Sequence, residues 1–291
     1  MSEDEWHCRF RGRRGPNGNC ETRESDGYPA QGVGAWSTEK HDWLRRFIDA
    51  TWAAREMYVP VGARKAGAAY IDLFAGPGRI RVANDPDAHD GSPLISLAHA
   101  KAPFSRVVLC DTEQENCEAL HWRTRANADR TTIINGDCND EIGQIAACVP
   151  RAGLNLAFID PFGPKALRWS TLAILGEFQR MDLLVNFPTG FIKRNFHTPS
   201  FRDQLTAILG NDSWRSTVRS AEDVPKLIEL LRGQLATIGY IADPSRSFPS
   251  VNSTNATMFH LLFFSKNALG AKIWKSLATN LPSGQKEFGF D

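Results

Sequence analysis

The chain has 291 residues, of which 42% are apolar, and its 34 basic side chains nearly balance 33 acidic ones. This length allows one large domain or two small ones with a sizeable core. The near-neutral charge excludes attraction of the whole chain to nucleic acid or membrane, so any such site must be local. Six cysteines without a CxxC pair are typical of reduced cytosolic thiols rather than of a disulfide framework.

The first 35 residues are rich in Gly, Arg, Asn and Glu and show no hydrophobic periodicity. They lack the apolar core of a signal peptide, and the chain has no apolar run of about 18 residues, so we expect a cytoplasmic protein that does not enter a membrane. The composition predicts a flexible leader over 1–35, followed by one domain over 36–291. A zinc site at His7, Cys8 and Cys20 is an alternative, but a fourth ligand is not apparent.

Strand and helix patterns alternate from residue 36 onward. Ser37 is a candidate N-cap for a helix over 38–58, which Pro60 and Gly62 end. Strands are predicted over 69–74, 106–111, 131–135, 154–160, 182–187, 239–242 and 257–264. Further helices are predicted over 93–100, 114–127, 139–148, 170–180, 225–238 and 268–277. An inserted segment at about 190–225 interrupts the alternation.

This alternation predicts an α/β fold with seven strands. The strands are mostly continuous apolar runs, which are typical of strands that are covered on both faces. Alternating strands and helices favour a parallel sheet with crossover helices. Ligands of such sheets bind outside the carboxyl ends of the strands, so the residues that follow each strand are candidates for a site.

Glycines, acids or polar groups follow the first five predicted strands. They are, strand by strand, Gly76, Pro77 and Gly78; Asp111 and Thr112; Gly136, Asp137 and Cys138; Asp160, Pro161, Phe162 and Gly163; and Asn186, Phe187, Pro188 and Thr189. An acid at a strand end is often only a turn former. Three acids in the same relative place, Asp111, Asp137 and Asp160, favour ligand binding. A carboxylate after the second strand can bind a ribose diol, and one after the third can accept a hydrogen bond from an adenine amino group. The pattern therefore suggests an adenosine-containing ligand.

The stretch over 70–78 ends in a glycine-rich turn that lets the backbone approach a ligand closely. The dinucleotide fingerprint needs a third glycine where Arg81 stands, and its acid follows about 20 residues on, whereas Asp111 is 33 residues beyond Gly78. A phosphate-binding P-loop is excluded because no Gly-Lys-Ser/Thr follows. S-adenosylmethionine has no pyrophosphate and does not require either motif.

Four sequence blocks together resemble a class I S-adenosylmethionine-dependent methyltransferase, and more narrowly the three-Cys-motif partner family (TcmP). The blocks are Trp36-Ser-Thr-Glu-Lys-His41, Ile71-Asp-Leu-Phe-Ala-Gly-Pro-Gly78, Gly91-Ser-Pro93 and Phe158-Ile-Asp-Pro-Phe-Gly163, with a weaker one at Val185-Asn-Phe-Pro188. The likeness covers about residues 33 to 289. It also extends to the adenine-N6 methyltransferases of large-subunit ribosomal RNA.

The resemblance implies a Rossmann-like methyltransferase fold with one antiparallel strand, S-adenosylmethionine as cofactor, and a protein partner that contains a three-Cys motif. It also implies roles for single residues. Lys40 would meet the methionine carboxylate, with His41 beside it. The groups implied at the methionine and sulfonium end are Asp72, Phe74, Gly76 and Gly78, with a polar contact from Ser92. Those implied at the adenosine are Asp111 and Thr112 for the ribose, and Asp137 and Cys138 for the adenine.

Asp160, the Pro161 carbonyl and Phe162 have the chemistry to methylate an exocyclic base amine. The two acceptors take the N–H bonds and direct the lone pair at the methyl group, and an aromatic ring stacks on the extruded base. In the amino-methyltransferase pattern the aromatic is the fourth residue, whereas here it is the third and Gly163 is the fourth. Phe187, Phe191 or another aromatic is therefore an alternative stacking group. A tight turn without chemistry is the other interpretation of this segment.

Residues 191–220 hold five basic side chains and four interleaved aromatics. Such a pattern suits phosphate contact and base stacking, and Lys193 and Arg194 are the candidate contacts to nucleic acid. A helical insertion with a solvated face explains the pattern about as well.

Three functions remain open. The first is an S-adenosylmethionine-dependent methyltransferase that acts on an exocyclic amine of a nucleic-acid base. The second is a methyltransferase-like partner protein without catalysis, and the third is a nicotinamide-dependent oxidoreductase, which the absent third glycine disfavours.

Overall fold

The computed structural model describes residues 13–14, 20–34, 36–59, 64–82, 85, 87–99, 101–161, 163, 167–241, 247–251 and 257–279. Within these ranges the chain forms two sheets with helices around them. None of the helices in the described ranges is long and apolar enough to cross a bilayer.

The strands, in chain order, are β1 Arg13–Arg14, β2 Cys20–Arg23, β3 Pro29–Val33, β4 Ala68–Asp72, β5 Arg79–Val82, β6 Ala88–Asp90, β7 Arg106–Asp111, β8 Thr131–Asn135, β9 Leu154–Ile159, β10 Met181–Phe187, β11 Ser247–Val251 and β12 Thr257–Phe264. The helices are α1 Trp36–Ala50, α2 Trp52–Glu56, α3 Ser92–Ala98, α4 Gln114–Thr124, α5 Ile142–Ala147, α6 Trp169–Leu175, α7 Thr189–Asn195, α8 Pro199–Leu209, α9 Trp214–Thr217, α10 Val224–Ala236 and α11 Ala268–Thr279.

The larger sheet has seven strands in the spatial order β11-β12-β10-β9-β4-β7-β8. The central strands β10, β9, β4, β7 and β8 run parallel to one another. Strand β12 is antiparallel to both of its neighbours. The prediction of a Rossmann-like, mostly parallel seven-stranded sheet with one antiparallel strand is therefore confirmed.

Both faces of this sheet are covered, which explains why its central strands are apolar throughout. All five residues of β4 are buried. Because neighbouring side chains of a strand point to opposite faces, Ile71 packs in one core cluster and Tyr70 in the other. Helices α1, α3, α4 and α11 contribute to the Tyr70 face, and α5 to α10 contribute to the Ile71 face.

A second sheet, in the order β1-β2-β3-β5-β6, is absent from the sequence predictions. Strand β3 runs parallel to β5, with Gly32 opposite Arg81. Residues 20–33, expected to belong to a loosely attached leader, thus form a hairpin whose second strand, β3, pairs with β5. Backbone hydrogen bonds in a ladder do not require apolar periodicity, which is why composition missed them. His7 and Cys8 lie outside the described residues, and the division of the chain at residue 35 stays a prediction.

The sixth strand of the large sheet lies later than predicted. The segment over 239–241 is not a strand, because it closes the end of α10: Tyr240 N–H donates to Leu235 O at 3.2 Å, and Gly239 has a φ of 94°. Strand β11 takes the edge position instead and pairs with β12. The predicted strands over 106–111 and 131–135 coincide with β7 and β8.

Candidate functional site

Five parallel strands place their carboxyl ends along one edge of the large sheet. Because β8, β7, β4, β9 and β10 are neighbours in that order, the residues that follow them share a continuous rim. The topology therefore brings together the glycine turn after β4, Asp111 after β7, Asp137 after β8 and Asp160 after β9, as the sequence predicts for an open α/β sheet.

The glycine turn after β4 uses backbone conformations that L side chains rarely adopt. The φ angles of Gly76 and Gly78 are 59° and 81°. Gly76 N–H donates to Asp111 Oδ2 at 2.8 Å, and Gly91 N–H donates to Gly78 O at 2.9 Å. A Cβ on Gly91 would lie 3.1 Å from Gly78 O. The Gly-Ser-Pro block thus holds the far end of the turn through its backbone.

Asp111 fixes the first turn of α4 as well as the glycine turn. Its Oδ1 accepts from Glu113 N–H at 2.9 Å and from Asn116 Nδ2 at 3.0 Å, while Oδ2 accepts from Gly76. Burial raises its pKa, against these hydrogen bonds. A carboxylate has about four acceptor positions, and these three bonds leave one, on Oδ2 beside Gly76. The expected ribose contact stays a prediction, as does that of Thr112, which is exposed.

Asp72 lies fully inside the protein at the end of β4. Its carboxylate accepts from the Tyr70 hydroxyl at 3.0 Å and from Phe74 N–H at 3.3 Å, and it also bonds the side chain of Ser92. Burial raises the pKa of Asp72 to about 7 in spite of these donors. Asp72 and Ser92 are both buried, so this geometry supports the turn from beneath, and direct contact of either with a cofactor stays a prediction.

Asp137 and Cys138 form the corner that follows β8. Asp137 Oδ1 accepts from the backbone N–H and the side-chain Nδ2 of Asn139 at 2.8 and 2.7 Å. Asn139 in turn accepts from Thr171 Oγ1 at 2.7 Å, which fastens the corner to α6. The Cys138 thiol is buried in the core cluster, and burial raises its pKa well above the usual range. Its side chain therefore packs as a small apolar group.

Asp160 lies between two donors from distant parts of the chain. Its Oδ2 accepts from Lys40 Nζ at 2.5 Å, and its Oδ1 accepts from Asn186 Nδ2 at 2.6 Å. The side chains of Lys40 and Asp160 are 12% and 18% exposed, so this pair is largely shielded from water. Lys40, expected at a methionine carboxylate, bonds the candidate catalytic carboxylate in this structure.

His41 and Asn186 each bury a polar atom without a partner beside this pair. His41 Nδ1 and Asn186 Oδ1 make no hydrogen bond to any described residue. Burial, with the neighbouring Lys40 charge, lowers the pKa of His41 to about 3, so its imidazole is neutral at physiological pH. Its ring lies 6.5 Å from that of Phe158, at 50°.

The segment after β9 is described only in part. Pro161 is buried and Gly163 half-buried, while Phe162 lies outside the described residues. A Cβ built on Gly163 would lie 3.4 to 3.7 Å from the ring of Phe191, on α7. The fourth position of the segment, where the amino-methyltransferase pattern has an aromatic, thus faces an aromatic ring from another element.

The structure separates the two alternative stacking residues. Phe187 is completely buried in the core at the end of β10, so its side chain has no face exposed for stacking in this structure. Phe191 is 37% exposed and packs against Phe201, with ring centroids 5.8 Å apart. The alternation of side chains along β10 turns Phe187 inward, which the position of a residue at a strand end does not reveal.

The basic and aromatic segment over 191–220 is mostly structural. Its other aromatics, Phe196, Phe201 and Trp214, are buried in the core. Arg202 and Arg215 lie over the Trp214 ring, and Arg215 also pairs with two aspartates. Lys193 and Arg194 remain exposed on α7 beside Phe191.

Sequence reasoning missed a role for Asn186. Its position near the carboxyl end of β10 is apparent from the sequence, but its pairing with Asp160 depends on the register of β9 and β10, which places Val185 opposite Ile159. The assembled rim offers a shielded carboxylate one strand away from the glycine turn, and an exposed aromatic ring on the helix that follows the next strand. Such an arrangement can hold a polar ligand and orient a nitrogen donor toward it.

No protein-family model matches this chain, and no curated protein matches it. Solved structures do resemble it. Protein LPL1258 from Legionella pneumophila has a TM-score of 0.49 and 11% identity, over 82% of this chain and 90% of that one. Trm1 from Pyrococcus horikoshii, solved with S-adenosyl-L-methionine, has a TM-score of 0.42 and 14% identity, over 80% of this chain and 58% of Trm1. TYW2 from M. jannaschii, solved with AdoMet, has a TM-score of 0.41 and 10% identity, over 85% of this chain and 84% of TYW2.

Proposed function

We propose that this protein is an S-adenosylmethionine-dependent methyltransferase that acts on an exocyclic amine of a nucleic-acid base. The observation that carries the proposal is the shielded Asp160 carboxylate, bonded by Lys40 and Asn186, on the strand next to the one that ends in the glycine turn. Methyl transfer to an amine needs an oriented, desolvated nitrogen rather than a strong base or a metal.

The donor set of the rim fits S-adenosylmethionine. Gly76 brings the backbone close to the site, the remaining acceptor position of Asp111 suits a ribose hydroxyl, and Asp137 suits an adenine amino group. Lys40 suits the methionine carboxylate, because its ammonium already pairs with a carboxylate on this rim. When bound, this cofactor supplies an electrophilic methyl group on a sulfonium whose departure leaves a neutral thioether.

Asp160 and the Pro161 carbonyl orient the substrate amine. Each accepts one N–H, so that the nitrogen lone pair faces the methyl group. The N–C bond forms as the C–S bond breaks, and the extra proton leaves to Asp160 or to water. Asp160 Oδ2 already accepts a hydrogen bond from Lys40. The substrate amine therefore donates either to another lone pair of the same carboxylate, or to Oδ2 after the Lys40 ammonium has turned toward the cofactor.

Phe191 is the stacking group in this proposal. Its ring is exposed and borders Gly163, in the segment that contains Asp160 and Pro161. An aromatic face beside the acceptors can hold a base that has left its stack. Lys193 and Arg194, exposed on the same helix, then contact phosphates of the nucleic acid.

Transfer of labelled methyl groups tests the proposal. The protein is incubated with labelled S-adenosylmethionine and, separately, total RNA, DNA or protein. We expect label in a nucleic acid, recovered as an N-methylated base after hydrolysis. Asp160→Ala should lower the transfer rate about hundredfold or more, because it removes the carboxylate that accepts from and positions the amine.

Asp129→Ala is the matched control, since Asp129 is exposed and lies before the amino end of β8, away from the rim, and it should transfer at the wild-type rate. Label in protein alone, or equal rates for the two variants, contradicts the proposed substrate or the role of Asp160. If the cofactor binds and no fraction is labelled, the non-catalytic partner function replaces the proposal.

A further inference from the structure

The hairpin formed by β2 and β3 is fastened beside the glycine turn by two buried or half-buried arginines. Arg123, whose side chain is 4% exposed, donates to both carboxylate oxygens of Asp26 at 2.8 and 2.9 Å. The same guanidinium donates to Pro29 O at 2.7 Å and to Pro77 O at 2.6 Å. Arg123 thus joins the hairpin directly to the glycine turn.

The second anchor is Arg81, at the position where a dinucleotide fingerprint would have its third glycine. Its Nε and Nη2 donate to Glu24 at 2.7 to 3.0 Å. The hairpin also reaches α4, because Arg23 pairs with Glu115 in the first turn of that helix. The hairpin therefore contacts both the glycine turn and α4, which are the two elements that the Asp111 carboxylate also joins by hydrogen bonds.

This position brings the side chain of Gln31, on β3, to the glycine turn. A Cβ built on Gly76 would lie 3.1 Å from Gln31 Oε1. The carboxamide is half-buried and makes no hydrogen bond to any described residue. Gly76 N–H is bonded to Asp111, whose remaining acceptor position lies beside the same glycine. A side chain that can both donate and accept therefore lies at the same glycine to which that carboxylate is bonded.

We propose that Gln31 is a cofactor-binding residue, which hydrogen-bonds the ribose of S-adenosylmethionine beside Asp111, and that the hairpin over 20–33 forms one wall of the cofactor pocket. The inference rests on the proposed function. Arg123, Arg81 and the β3–β5 ladder hold the hairpin in the position that brings Gln31 to the turn.

Calorimetric titration with S-adenosylhomocysteine tests the inference. Gln31→Met keeps the length of the side chain and removes the carboxamide, and we expect it to raise the dissociation constant about three- to tenfold, the value of one hydrogen bond. Ser25→Ala, at an exposed site of the hairpin turn, should bind like wild type. Thermal unfolding without ligand should be the same for all three proteins, which separates lost contact from lost folding.

A second probe locates the contact on the ligand. Methylthioadenosine has the ribose and the base but no amino-acid group, and we expect Gln31→Met to weaken its binding by the same factor. Wild-type affinity of Gln31→Met for S-adenosylhomocysteine overturns the inference, and a loss that disappears with methylthioadenosine overturns the ribose assignment. If the wild-type protein does not bind S-adenosylhomocysteine, the proposed function itself fails.

Discussion

Asp72 is the titratable residue for which burial has the clearest consequence. Its pKa is raised to about 7, so between about pH 4 and 7 the folded state holds a proton that the unfolded state has lost. The free energy of unfolding therefore falls as pH rises through this window, by up to about 1.4 kcal/mol per pH unit. We expect Asp72→Asn to gain stability relative to wild type between pH 5 and 8, measured by urea denaturation.

The lowered pKa of His41 changes the free energy of unfolding with pH in the opposite direction to the raised pKa of Asp72. Because His41 is present in both proteins, the difference between Asp72→Asn and wild type reports the contribution of Asp72 alone. His41 has a pKa of about 3, so acidification below about pH 6.5 protonates the unfolded state first and lowers stability. Asp129→Asn controls for the loss of one negative charge. A stability difference between Asp72→Asn and wild type that does not change with pH would show that the carboxylate is not protonated in the folded state.

Phe191 carries a second prediction at the residue scale. In the proposed mechanism it stacks on the substrate base, and such stacking contributes about 1–3 kcal/mol. Phe191→Ala should therefore lower kcat/KM for the labelled nucleic acid about tenfold or more, while Phe191→Tyr retains most of it. Leu269→Ala removes another exposed large apolar side chain, which lies on α11 rather than beside the rim, and should leave the rate unchanged. Equal rates for Phe191→Ala and wild type would exclude stacking by this ring.

At the scale of elements, Arg123 makes the largest set of side-chain hydrogen bonds that holds the N-terminal hairpin. Arg123→Ala removes five hydrogen bonds to the hairpin and the glycine turn, each bond to a charged or buried group being worth about 1–3 kcal/mol. We expect faster amide exchange over 20–33, with β7 and β8 unaffected. Arg125→Ala, which removes an exposed guanidinium that stacks on Trp122 at 4.0 Å, should leave the exchange of the hairpin unchanged. Unaltered exchange in Arg123→Ala would show that the β3 and β5 ladder alone holds the hairpin.

At the scale of the whole molecule, the sequence predicts the strands and helices that have a hydrophobic periodicity. It does not predict the contacts between residues that are distant along the chain. Apolar runs locate β7 and β8 to the residue, and strand ends locate the acids of the rim. The second sheet escapes because its strands are short and half-exposed, as in β5 with alternating arginines. Lys40 and Asp160 are 120 residues apart, and only the assembled fold shows that they pair.

The central claim is that the rim binds S-adenosylmethionine, and calorimetric titration of the wild-type protein tests it most directly. We predict one binding site for S-adenosylmethionine and for S-adenosylhomocysteine, and no binding of NAD, whose pyrophosphate the glycine turn is not built to hold. Absence of binding by both adenosyl ligands, or binding of NAD in their place, would contradict the account.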